Sequence, residues 1–248
     1  QVPGPGIVYF SLIQTLYQVS LQLARLGVRH LIYHGQLSAQ DRQKNLRLFV
    51  KSGEDTPLIL ATPAFGLGID KNNVRLLVHM EIPSSVESYY QEIGRAGRDG
   101  QPSFCHLFYD PDDVTIQMEF IKWANPDPSF ITQVYHLIDR GGPGLADDGV
   151  DYLRAQLNFY NKRDFRVETA LNLLERCGCL EADTKNRLGF SAVREPSIED
   201  LKQASYELRL KMQNQKLLEM VRLATLVERS PEAQSQDYLQ EIYHYFGR

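Results

Sequence analysis

The chain has 248 residues, of which 43% are hydrophobic and 23% charged, a composition that excludes disorder, collagen-like repeats and a coiled coil. Its length suits one large or two to three modest domains. The formal net charge of -4 excludes a globally basic nucleic-acid binder but leaves local basic patches open. In chain order, Ile7 to Phe10 reads as a first strand, and Ile13, Leu16, Tyr17, Leu23 and Leu26 recur at a helical period closed by Gly27. His30 to Tyr33 reads as a second strand. Ser38 to Asp41 is a capping box for a helix carrying Leu46, Phe49 and Val50 on its apolar face. Leu58 to Ala61 and Val74 to Met80 make a third and a fourth strand, Ser84 is placed to cap the next helix, and Phe104 to Tyr109 is a fifth strand. Strands alternating with amphipathic helices predict a parallel sheet with helices over it.

A further helix runs from Pro111 to about Trp123, and Asn125 to Pro128 breaks the pattern as a linker would. Beyond it, Ser129 to Ile138 is helical in period and Gly141 to Gly144 is read as a loop. Val150 to Tyr160 and Val167 to Arg176 are two more helices. Leu180 to Ala182 and Leu188 to Val193 flank a polar turn as a hairpin does. Helices followed by a hairpin suggest a winged helix. Ile198 to Val227 reads as one long helix, and Ala233 to Phe246 as the last.

The N-terminal Gln1 to Gly6 lacks the basic start and apolar stretch of a signal peptide. No apolar run approaches the roughly 20 residues of a membrane span, so no membrane partner is expected. The three cysteines, Cys105, Cys177 and Cys179, form no disulfide framework and fit an intracellular, reducing setting. Cys177-Gly-Cys179 supplies two thiols without the second pair that tetrahedral zinc takes, so zinc is not expected. His34 and His79, in or beside strands with nothing nearby to complete a nucleophile or metal set, are read as structural.

Two stretches concentrate chemistry. Ala61-Thr-Pro-Ala-Phe-Gly-Leu-Gly-Ile-Asp70 combines turn glycines with a carboxylate, and read alone is equally a Gly-rich connection. Tyr89-Tyr-Gln-Glu-Ile-Gly-Arg-Ala-Gly-Arg-Asp-Gly100 sets Arg95 and Arg98 three residues apart, expected on one side of a helix end. Two glycines inside a helix would cost about 1 kcal/mol each, so they call for a reason beyond solubility. Both stretches are expected in loops or helix ends that follow strands, because ligands of open α/β sheets bind at the carboxyl ends.

Gln91 to Gly100 resembles motif VI of the RecQ DNA helicases nearly letter for letter. Ala61 to Asp70 resembles their motif V, and Ile7 to Phe10 with Tyr33-His-Gly35 and Arg42 resembles motifs IV and IVa. DEAD-box RNA helicases carry His-Arg where this chain has Gln91-Glu92. The resemblance implies a RecA-like parallel sheet with helices on both faces over residues 1–124, the second such lobe of a 3'-5' DNA helicase. A winged-helix-like segment over 125–197 and a helical hairpin over 198–248 would follow it.

In that family Arg98 would be the arginine finger, with Arg95 on phosphate or the facing lobe. Gln91, Gly68 and Asp70 would join both arginines around the nucleotide, and Thr62 would contact DNA. In the winged-helix-like segment Arg163, Lys185 and Arg187 are the candidate DNA contacts, amid nearly as many acids.

Several features depart from the family pattern. Neither a Gly-x-x-x-x-Gly-Lys-Ser/Thr loop nor an Asp-Glu-x-His box occurs in the chain. ATP and Mg2+ would therefore be held mainly by an N-terminal RecA-like domain of the same protein, and this chain alone is expected to be inactive. Ser11-Leu-Ile13 stands where motif IV usually has Ser-Arg. Asp237 stands about where the family's first zinc-binding cysteine is expected, and the winged-helix-like segment precedes the hairpin instead of following it. DNA, as single strand and duplex junction, is the expected partner, in the cytoplasm at the nucleoid if the source is bacterial. The alternative reading is a non-enzymatic DNA-binding or adaptor module on the same scaffold.

Overall fold

The computed structural model describes residues 4–51, 58–66, 70–157, 165–184, 186–203, 206–226 and 235–247. Strands β1 (Gly6–Tyr9), β2 (His30–Tyr33), β3 (Leu58–Ala61), β4 (Leu76–His79) and β5 (Phe104–Leu107) pair in the order β2-β3-β1-β4-β5. Every pairing is parallel. Parallel neighbours need long crossovers, which here carry α1 (Ile13–Arg25), α2 (Ala39–Lys51) and α3 (Val86–Ile93).

Side chains alternate across each strand, so the two faces bury different sets. Val8, Phe10 and Leu60 pack with Leu16 of α1 on one face. Ile7, Tyr9, Ile59, Ala61 and Leu77 pack with Phe49 of α2 and with Phe65 on the other. Sandwiched between helical layers, the central strands can be apolar on both sides.

Local signals place the helix ends. Ser38 Oγ accepts from Asp41 N at 3.0 Å, the serine half of the box expected from the sequence, and donates to the Asp41 carboxylate at 2.7 Å. The cap of α3 is Ser85 and not Ser84, since Ser85 Oγ accepts from Ser88 N at 3.1 Å. The stretch read as a linker is a packed corner. Helix α4 (Pro111–Ala124) ends one residue before buried Asn125, whose amide donates to Ile121 O at 2.7 Å. Asp127 then caps α5 (Pro128–Arg140), accepting from Phe130 N at 3.0 Å with Pro128 in the first turn.

The chain forms two compact units, residues 1–117 with 215–248, and residues 118–214. These units do not follow the three segments read from the sequence. The second unit gathers α5, α6 (Pro143–Asp148), α7 (Val150–Gln156), α8 (Arg166–Arg176) and the antiparallel hairpin of β6 (Leu180–Ala182) and β7 (Phe190–Ala192). Its core is its own, built on Ile131, Val134, Leu153, Val167, Ala170, Leu174 and Cys179. The loop expected at 141–144 is shorter, because Pro143 opens α6 behind Gly142. Helix α9 (Ile198–Gln203) closes this stretch.

The last helices are α10 (Tyr206–Ala224) and α11 (Ser235–Tyr245). In the first unit Leu217, Met220, Leu223 and Ile242 are buried, and α11 packs on α3. Lys216 Nζ meets Glu87 Oε1 at 2.7 Å, and the rings of Tyr90 and Phe246 lie 5.3 Å apart. No helix among the described residues is long and apolar enough to cross a membrane.

Candidate functional site

Helix α3 ends at Ile93, so Gly94 and Gly97 lie beyond the helix and not inside it. A run of tight turns follows, with Arg95 N donating to Glu92 O at 3.1 Å and Ala96 N to Ile93 O at 3.0 Å. The turns dock on the residues that lead into β4. Gly97 N donates to Val74 O at 3.0 Å and Asp99 N to Asn72 O at 3.3 Å. The arginine segment therefore sits at the amino end of β4, not at the carboxyl ends where the general rule for open sheets placed it. Gly97 takes φ +62°, and a Cβ there would stand 2.8 Å from Gln101 O and 2.9 Å from Ser103 Oγ. Only glycine fits this crossing.

The two arginines do not share one exposed side. Arg95 is 6% exposed, and its guanidinium interacts with the Tyr9 side chain at the end of β1. Arg98 is exposed, with Nε donating to Gly94 O at 3.2 Å. A buried polar group lies around Tyr9: His79 Nε2 and Glu92 Oε2 are 2.6 Å apart, and the His79 ring stacks on Tyr9 with centroids 5.3 Å apart. Burial pushes the Tyr9 phenol well above its usual range, the Glu92 carboxylate adds to the shift, and Arg95 opposes it. Tyr9, His79 and Glu92 were not singled out as site residues from sequence. The available signal was a histidine ending one strand and a glutamate in the adjoining arginine motif.

The other expected residues are scattered. Gln91 and Asp70 are exposed. Thr62 is half-buried just past the carboxyl end of β3, its N donating to Tyr33 O at 3.1 Å. Pro63 to Gly66 form a 3-10 turn there. Arg187 is exposed, and its guanidinium donates to Asp147 O at 3.1 Å. Gly68, Arg163 and Lys185 lie outside the described residues. His34 Nε2 pairs with Tyr17 Oη at 3.0 Å. Among the described residues no group of three or more His, Cys, Asp or Glu side chains is placed to hold a metal ion.

Residues 2–100 match the family described as the helicase conserved C-terminal domain. The ATP-dependent helicase wrn-1 of Caenorhabditis elegans is 47% identical over 111 residues, 45% of this chain and 10% of that protein. The RecQ-like DNA helicase BLM of Xenopus laevis is 43% identical over 166 residues, 64% of this chain and 12% of that protein. The chain carries the helicase C-terminal domain of the RecQ family. This RecQ lobe is RecA-like: its five-stranded parallel sheet carries helices on both faces. Among solved structures, a DEAD box protein from the hyperthermophile Methanococcus jannaschii is 25% identical, with a TM-score of 0.41 over 47% of this chain and 31% of that one. The chain spans about a tenth of the length of the two curated relatives named.

Proposed function

We propose that this RecQ lobe works as the second motor lobe of an ATP-dependent 3'-5' DNA helicase, with Arg98 as its arginine finger. The observation that carries the reading is Arg98, an exposed guanidinium on a turn pinned to the sheet and lying inside the matched helicase domain. A planar, permanently charged fork suits the charge that builds on a transferring γ-phosphoryl group. Arg95, three residues earlier, is held inside, and its buried Nε has no acceptor among the described residues. Arg98 is then the guanidinium that a nucleotide phosphate can reach, and Arg95 supports the turn from within. The chain has no phosphate loop, so a preceding RecA-like lobe of the same protein would cradle ATP and its Mg2+.

Bound at a lobe interface, ATP supplies the phosphoryl group and the free energy of its transfer. The residues of this chain do the rest of the local work. Arg98 neutralises developing charge, Arg95 and Glu92 hold the turn beneath it, and Gln91 and Asp70 lie on exposed surface where the nucleotide or the facing lobe could be met. Closing and reopening of two such lobes would ratchet one along a single strand. DNA contact through Thr62 at the sheet's carboxyl edge, and through Arg187 in the winged-helix-like unit, would go to phosphates, because unwinding cannot depend on sequence. An intracellular setting belongs to this reading.

The test is Arg98→Ala in the full-length protein that contains this chain. DNA-stimulated ATP hydrolysis is expected to fall by about 10³- to 10⁵-fold while nucleotide affinity holds. Normal hydrolysis by that variant would overturn the finger assignment.

A further inference from the structure

Asp99 directly follows Arg98, and its carboxylate is gripped by Arg75, the residue that leads into β4. Arg75 Nη1 donates to Asp99 Oδ1 at 3.0 Å, and Arg75 Nη2 pairs with Asp99 Oδ2, so the guanidinium and carboxylate meet as a two-pronged fork. Asp99 Oδ1 also accepts from Gln101 N at 3.1 Å. Arg75 is itself anchored by its backbone. Its N donates to Pro5 O at 2.8 Å, and its O accepts from Phe104 N at 2.9 Å, which ties it to the entry of β1 and to β5. Gly4 lies so close that a Cβ would stand 2.7 Å from Arg75 Cγ. Ser103 completes the fastening, donating to Val74 O at 2.9 Å beside the Gly97 crossing.

Stability alone does not account for such a pair. Both side chains are partly exposed, at 18% and 29%, and ion pairs within reach of water add little to folding. A bidentate fork between two anchored backbones does, however, fix direction. The chain from Gly97 to Asp99 is held at both ends, by Val74 O and by the Arg75 fork, and Arg98 is the residue between.

We propose that Arg75 and Asp99 are positioning residues for Arg98, a clamp that aims the finger at the phosphoryl group without touching it. The inference rests on the finger reading above. Hydrogen bonding from Arg75 also holds the Asp99 carboxyl below its usual range, with Gln101 N assisting, so the clamp stays charged through the neutral range.

The experiment uses the full-length protein with Arg75→Ala, Arg75→Lys and Asp99→Asn. Misplacing a reacting group by about 1 Å can cost on the order of a hundredfold, so kcat should fall by about ten- to a hundredfold. KM for ATP and the thermal midpoint should hold. Arg75→Lys keeps the charge but loses the fork, and should fail to restore kcat. Affinity for ADP should stay, while affinity for ADP with aluminium fluoride, a transition-state mimic, should drop in step with kcat.

In an Arg98→Lys background Arg75→Ala should add nothing, because the clamp acts only through that side chain. Wild-type kcat in Arg75→Ala, or a loss that adds fully to that of Arg98→Lys, overturns the clamp. So does an equal loss of ADP and analogue binding. If Arg98→Ala turns over normally the finger reading fails. If Arg98→Ala is dead and Arg75→Ala is normal, only the clamp fails.

Discussion

His79 at the end of β4 and Glu92 on α3 meet in the interior, Nε2 to Oε2 at 2.6 Å, Glu92 standing in the last turn of the helix that leads to the arginines. The two are 1% and 9% exposed at their side chains. A buried hydrogen bond to a carboxylate contributes about 1.5–3 kcal/mol, and a partner left alone pays its desolvation. Glu92→Ala should therefore destabilise the chain by about that amount in urea unfolding. Glu92→Gln, which keeps an acceptor for the imidazole, should cost distinctly less. Equal stability of Glu92→Ala and the wild type would show that the pair is not a structural tie.

Two glycines of the same turn separate backbone strain from crowding. Gly97 and Gly100 both have positive φ, at +62° and +79°. An added Cβ would meet Gln101 O at 2.8 Å from Gly97 but nothing within 4 Å from Gly100. Gly100→Ala should cost only the left-handed penalty, roughly 1–2 kcal/mol. Gly97→Ala should exceed it, since the chain must also move away from Gln101. Thermal melts of the two variants side by side decide this, and a smaller loss for Gly97→Ala would contradict the crossing described above.

Much of the first unit was legible because its signals are local. The apolar runs at Ile7, His30 and Leu58 became strands, and the serine half of the Ser38–Asp41 cap formed as read. The split fate of Arg95 and Arg98 was not legible. Both follow glycine in near-identical surroundings, and Arg95 turns inside toward Tyr9, which is distant in sequence. The glycines looked like a burden inside a helix because nothing local shows that α3 stops at Ile93 and that Gly97 must cross Val74. The return of residues 215–248 to the first unit was hidden for the same reason. It depends on Glu87 and Tyr90 accepting Lys216 and Phe246 from far along the chain. Pro143 was a missed local signal, since Gly-Pro is as good a helix start as a loop.

The attachment of that C-terminal segment should carry a pH signature with two edges. Burial would raise the Glu87 carboxyl, but hydrogen bonds from Lys216, its own backbone N, Ser85 and Tyr245 outweigh it and leave the group below its ordinary 4.5. A carboxyl lowered by folding contributes stability that is present above its unfolded value and lost as pH falls through the folded one. Tyr245 is pushed from 10.0 up to about 12, first by burial and then by its bond to Glu87. A phenol raised by folding contributes stability that is complete below its unfolded value and lost as pH climbs toward the folded one. The stability difference between wild type and Glu87→Gln should thus be level through neutral pH and shrink below about pH 4.5. That between wild type and Tyr245→Phe should shrink between about pH 10 and 12. Urea unfolding of the three proteins across that range reads both edges. A Glu87→Gln difference that stays constant down to strongly acid pH would mean that the carboxylate does not fasten α10 and α11 to α3.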